Sequence, residues 1–120
     1  MATSRQLAVA CAKVCEDKKA TDVVILDLRK LTFITDYFVI CSASNERQAR
    51  ALTEELRAAM REKGMRERGL EGARDARWVV QDFGDVVVHI FHEQQRGFYD
   101  LEGLWADAPH VRWKRAAAHP

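Results

Sequence analysis

The sequence is short of several features that would assign it to a specialised class. Charge of one sign is missing: 19 Lys and Arg stand against 18 Asp and Glu, a formal net charge of +1 over 120 residues. A polycation that coats nucleic acid by bulk charge is excluded, and only a local basic patch could meet a phosphate backbone. No uncharged apolar run approaches the ~20 residues that a bilayer span requires. Cysteine numbers 3, an odd count that makes no disulfide framework. Cys11 and Cys15 lie four apart on a helical stretch, with Cβ atoms about 6 Å apart, beyond the roughly 3.5–4.5 Å of a disulfide. All three cysteines therefore read as small buried hydrophobes in a reducing compartment. The Leu7–Cys11 stretch faintly resembles a lipoprotein cleavage site, but the uncharged run from Gln6 to Ala12 behind Arg5 is short for a signal core. A cytoplasmic protein is expected. Hydrophobic residues make up 48% and charged residues 31%, an ordinary composition for one globular domain.

The pattern along the chain predicts a mixed α/β domain. Thr3 with Gln6 forms a capping-box pattern, and Leu7, Cys11 and Val14 follow on one helical face. Val23–Leu26 is a continuous aliphatic run, the habit of a strand covered on both faces. A second strand is expected from Tyr37 to Cys41. Asn45 with Gln48 opens a second helix, whose apolar positions Ala49, Leu52, Leu56 and Met60 run on to Lys63, with Gly64 as the stop. Met65–Ala76 is charged and contains Gly69 and Gly72, so a loop or a weak edge strand is predicted. Arg77–Asp82 and Val86–Phe91 form a hairpin around Gly84 and Asp85. Gln94–Leu104 is helix-prone, with an interruption expected at Gly97, and Pro109 marks the exit. The order predicts one mixed β-sheet flanked by helices. Residues 1–109 are expected to form the domain and residues 110–120 a short, mildly basic tail.

Catalytic patterns are scarce. Asp82-Phe83-Gly84 matches a kinase tripeptide, but no glycine-rich loop, catalytic loop or sufficient length accompanies it. His89 and His92 are three apart on a strand and point to opposite faces, so they do not make a metal site. His89 is better explained as a hydrogen-bonded structural residue. A nucleotidyltransferase would need paired metal-binding carboxylates one residue apart, and Asp-x-Asp occurs nowhere in the chain. Asp82 and Asp85, three apart across a turn, are poorly placed to grip Mg²⁺. Neither a P-loop nor a nucleophile elbow is present. No catalytic residue, cofactor or metal is expected.

Aromatic residues are concentrated instead. Seven of the ten lie between Trp78 and Trp113. The stretch Arg96–Trp105 combines Arg, Tyr and Trp, the residue types that dominate protein interfaces. Phe83, Phe91 and Phe98 are expected in the core. Trp78 shares a strand face with Val80 and Asp82 and suits a core or a partly exposed binding face equally. On composition alone the chain is a small α/β domain with a candidate docking surface.

Three blocks carry a more specific signal. DYFVICSASNERQ from Asp36 to Gln48, WVVQDFGDVVVHIF from Trp78 to Phe91, and RGFYDLEGLWADAP from Arg96 to Pro109 occur in order. Together they resemble the signatures of the ribosomal silencing factor family, also called the Iojap family, over about Ala8 to Pro109. Ala43 departs from the glycine usual in that family and is expected to tighten the turn before the second helix. The resemblance implies a nucleotidyltransferase-like fold without catalytic carboxylates. It implies binding to the large ribosomal subunit through the ribosomal protein L-fourteen, and a steric block to subunit joining that represses translation when nutrients are scarce. Carried onto this chain, the interface falls on Trp78, Asp82, Arg96, Tyr99, Asp100, Leu101, Leu104 and Trp105. Trp78→Ala is then expected to abolish ribosome association without unfolding the domain, provided the ring is exposed. The free protein could pair as a homodimer through the same apolar surface. Two other readings stay open: an RNA-binding adaptor using Arg112, Lys114 and Arg115 around Trp113, and a nucleotidyltransferase-type enzyme.

Overall fold

A computed structural model describes residues 2–114. Helix α1 (Ser4–Asp17) starts as its sequence predicts: the Thr3 side chain accepts from the Gln6 amide, and the Gln6 side chain accepts in return from the Thr3 amide. Both otherwise orphaned donors are thereby satisfied. Strand β1 (Thr21–Asp27) follows, then β2 (Tyr37–Ala43) and helix α2 (Glu46–Glu62). Asn45 caps α2 by accepting from the Gln48 amide. Gln48 completes a variant of the capping box, because its Oε1 accepts from the amide and hydroxyl of Ser44 rather than from Asn45. The charged stretch beyond Gly64 yields the edge strand β3 (Gly69–Glu71), and β4 (Trp78–Asp82) and β5 (Val86–His92) form the hairpin.

These strands make one five-stranded sheet in the order β1-β2-β5-β4-β3. The pairing of β2 with β5 is parallel, and the other three pairings are antiparallel. The parallel pair occupies the middle, which is why β5 is buried from Val86 to Phe91 and reads as an unbroken apolar run. Helices α1 and α2 cover one face, and their apolar stripes pack on Ile25, Val39, Cys41, Val79, Val88 and Ile90.

The opposite face carries a smaller cluster of Leu26, Leu28, Ile40 and Phe91, closed by Leu101 and Ala108. Two four-residue helices supply that cover, α3 (Arg96–Tyr99) and α4 (Leu101–Leu104). The break between them falls at Asp100, in the left-handed region with φ 44°, and not at Gly97. Ala43 also departs from expectation: it is the buried last residue of β2, with its carbonyl accepting from the Glu93 amide, so it lies in the sheet and not in a turn. Past Pro109 the chain does not leave the domain at once. The Val111 amide bonds the Ile25 carbonyl at 2.8 Å, and the Trp113 indole donates to the Val23 carbonyl, so residues 110–113 run along the outer edge of β1.

Candidate functional site

Alternation along β4 sends Val79 and Gln81 towards the helices and Trp78, Val80 and Asp82 to the opposite face. On that face the aromatic rings form one connected chain. Trp105 packs edge-on against Phe38 with ring centres 5.6 Å apart, and Phe38 packs edge-on against His89 at 4.3 Å. Trp78 stacks on Phe91 at 5.1 Å and meets Tyr99 at 4.8 Å, and Phe98 stands across Tyr99 at 5.2 Å. The helices of this side cover only part of the sheet. Trp78, Val80, Asp82, Phe38 and Trp105 all remain half-buried.

His89 sits at the centre of this floor. Its Nδ1 accepts from the Trp78 indole N–H at 3.1 Å. The ring proton therefore sits on Nε2, which is buried without a hydrogen-bond partner. Burial pushes the His89 pKa down to about 4, so the ring is neutral at physiological pH. The structural role expected for His89 is what the geometry shows. His92, on the opposite face, accepts from the Gln94 amide.

The short helices are too small to stand alone and are held by polar clamps. The Arg96 guanidinium makes two bonds of 3.1 Å to the Glu102 carboxylate and a third, of 3.0 Å, to the Ser42 hydroxyl. Its side chain is only 12% exposed. Asp100 caps α4 by accepting from the Gly103 amide. A Cβ at Gly103 would lie 2.2 Å from the Asp100 carboxylate, so a larger residue there would push that carboxylate out of its capping position. Asp82 accepts from the Gly84 amide at 2.7 Å and shapes the hairpin turn.

The eight residues singled out from the sequence therefore divide by position. Trp78, Asp82, Tyr99, Leu104 and Trp105 present surface on the open face, with Leu104 77% exposed. Leu101 does not: at 5% exposure it is core, because the left-handed turn at Asp100 rotates α4 and points Leu101 at Ile40 and Phe91. Arg96 and Asp100 spend their polar atoms inside the chain and act by holding the helices in place. Phe83 and Phe91 are buried as expected, whereas Phe98, also expected in the core, is 79% exposed on the outer side of α3. Sequence reading missed Phe38, and it missed Leu31, Phe33 and Ile34, which are exposed in the loop between β1 and β2. Their signal was an apolar run, Leu31–Ile34, in a segment that belongs to neither strand.

Among the described residues no group of three or more His, Cys, Asp or Glu side chains is placed to hold a metal ion. The thiols are committed to the core: burial pushes Cys11 up to about 12, and a hydrogen bond with Cys41, together with burial, raises Cys15. Ser42, on the strand end where a nucleotidyltransferase Gly-Ser might sit, is occupied by Arg96. Lys114 forms an ion pair with Glu16 at 2.7 Å and lies over the Trp113 ring. Arg115, the third cation of the adaptor reading, lies outside the described residues. No helix among the described residues is long and apolar enough to cross a membrane.

Fold and face together define a small mixed-sheet α/β domain, closed by two long helices on one side and left as a half-open aromatic ledge on the other. Comparison with known proteins narrows this class. The family model described as ribosomal silencing factor during starvation matches residues 1–119. A ribosomal silencing factor of Bacillus subtilis is 43% identical over 98 residues, covering 82% of this chain and 83% of its own. The chloroplastic protein Iojap of Zea mays is 39% identical over 84% of this chain and 44% of its own length. Among solved structures, a Chromobacterium violaceum protein superposes with a TM-score of 0.84 at 31% identity, covering 88% of each chain. The chain belongs to the ribosomal silencing factor family.

Proposed function

We propose that this protein represses translation by binding the large ribosomal subunit through the ribosomal protein L-fourteen, and that the aromatic ledge is the binding face. Once seated there it blocks the small subunit sterically, by occupancy and not by catalysis, in the compartment where ribosomes join. The observation that carries this reading is the exposure of Phe98, Tyr99 and Leu104 beside the half-buried Trp78 and Trp105. A soluble domain rarely leaves so many large apolar side chains together unless something covers them. Anchors of this kind typically contribute ~2 kcal/mol or more each, roughly a thirtyfold change in affinity. In the free protein the same ledge offers a contact to a second copy, which subunit binding would displace.

Light scattering of mixed small and large subunits at rising Mg²⁺ tests the proposal. Wild-type protein should suppress joining. Leu104→Ser and Phe98→Ser, both on exposed side chains, should weaken suppression with their melting unchanged. Undiminished joining at saturating wild-type protein would remove the proposal.

A further inference from the structure

The ledge by itself is small for the task proposed for it. A stable interface of standard size buries roughly 800 Å² on each partner, and an exposed ring or aliphatic side chain offers roughly 100–200 Å². Phe98, Leu104 and the partly open Tyr99, Trp78 and Trp105 therefore supply little more than half of that area. A second apolar surface stands at one end of the same sheet. In the loop between β1 and β2, Phe33 is 107% exposed and Ile34 86%, with Leu31 beside them. The loop is not a stray segment. The Leu28 side chain belongs to the cluster under the ledge, with Leu26, Ile40 and Leu101. The Leu28 amide closes the loop on the Asp36 carbonyl, the Thr35 hydroxyl donates to the Gly84 carbonyl at 2.9 Å, and the Asp36 amide donates to the Asp85 carbonyl. Through Thr35 and Asp36 the loop is thus tied to the β4–β5 turn, close to Asp82 and two residues before Phe38.

We infer that Phe33 and Ile34 are a second contact for the same ribosomal protein that covers the aromatic ledge, an inference that rests on the proposed function. Three observations favour this occupant. The tip offers roughly 300–400 Å², too little to hold a dimer of this chain on its own, but close to what the ledge lacks. The molecule measures 38 × 32 × 31 Å, so one footprint roughly 30 Å across reaches from the ledge to the tip. The side chains presented are apolar, which selects a protein surface over a phosphate backbone.

The test compares sedimentation with purified large subunits for the wild type, Leu104→Ser and the double variant Phe33→Ser with Ile34→Ser. The double variant should melt as the wild type does and bind subunits at least tenfold more weakly. A benzophenone amino acid placed at position 33 should crosslink to the same ribosomal protein as one placed at position 104, which keeps the inference testable even if the double variant folds poorly. Wild-type affinity in the double variant overturns the inference while leaving the proposed function intact. A crosslink from position 33 to ribosomal RNA, or to a different protein, also overturns it, as does loss of self-association with unchanged subunit binding. If the wild type itself fails to sediment with large subunits, it is the proposed function that falls, and this inference falls with it.

Discussion

Replacing Trp78 by phenylalanine isolates one hydrogen bond beneath the ledge. A phenyl ring retains much of the stacking on Phe91 and the contact with Tyr99, but it removes the indole N–H that Nδ1 of His89 accepts. His89 then has no partner at either ring nitrogen, since its Nε2 already lacks one. Leaving a buried acceptor unsatisfied costs about 1–3 kcal/mol, and the smaller ring adds a little lost packing, so we expect Trp78→Phe to lower stability by about 2 kcal/mol. Trp78→Ala would lose the ring as well. A wholly buried aromatic costs about 3–5 kcal/mol on truncation, and half of that added to the orphaned histidine brings the loss near 4 kcal/mol. That is a large share of the ~5–15 kcal/mol that holds a domain together. A loss of ribosome association in Trp78→Ala would then mix unfolding with loss of contact, so the exposed residues are the better probes of binding. Urea unfolding followed by far-ultraviolet circular dichroism should give the Trp78→Phe value. Combination with His89→Phe should show a coupling of about 1–2 kcal/mol. Strict additivity of the two substitutions would refute the claim that these rings are joined by a hydrogen bond.

Acid should destabilise the fold through the same histidine. Its pKa lies near 4 in the folded chain against an ordinary ~6.5, so between those values the unfolded chain binds more protons. Stability is therefore lost as pH falls through that window, by on the order of 3 kcal/mol in all, and His89→Asn should flatten the slope measured by urea unfolding from pH 7 to 4. Arg96→Ala leaves Glu102 and Ser42 unpaired and should cost about 2 kcal/mol, detach α3 and α4, and weaken subunit binding. Arg96→Lys should rescue little of that, because an ammonium cannot form the two-pronged contact; full rescue would count against the clamp. Gly72 has φ +77°, and a Cβ there would sit 2.0 Å from the Trp78 carbonyl oxygen. Gly72→Ala should accordingly cost more than ~3 kcal/mol, and an unchanged melting temperature would show that the turn is misplaced.

What the chain alone determined is what depends on neighbours in sequence. The Thr3 and Asn45 caps, the apolar stripe of each long helix, the aliphatic runs of β1 and β5 and the hairpin turn at Gly84 arise from contacts within a few residues, and each stands where its local pattern puts it. The signature blocks announced the family for a similar reason, as they are themselves local strings. Tertiary structure alone decided which aromatics face outward. Phe98 and Leu101 are three apart on a stretch that reads as one helix, yet the left-handed turn at Asp100 breaks it and sends the first to solvent and the second into the core. The pairing of Trp78 with His89 spans 11 residues, that of Arg96 with Ser42 spans 54, and that of Thr35 with Gly84 spans 49. No periodicity within a strand or helix records such contacts, because they exist only once β5 has inserted between β2 and β4. Burial is a property of that assembled sheet, and so is the open face that the assembly leaves.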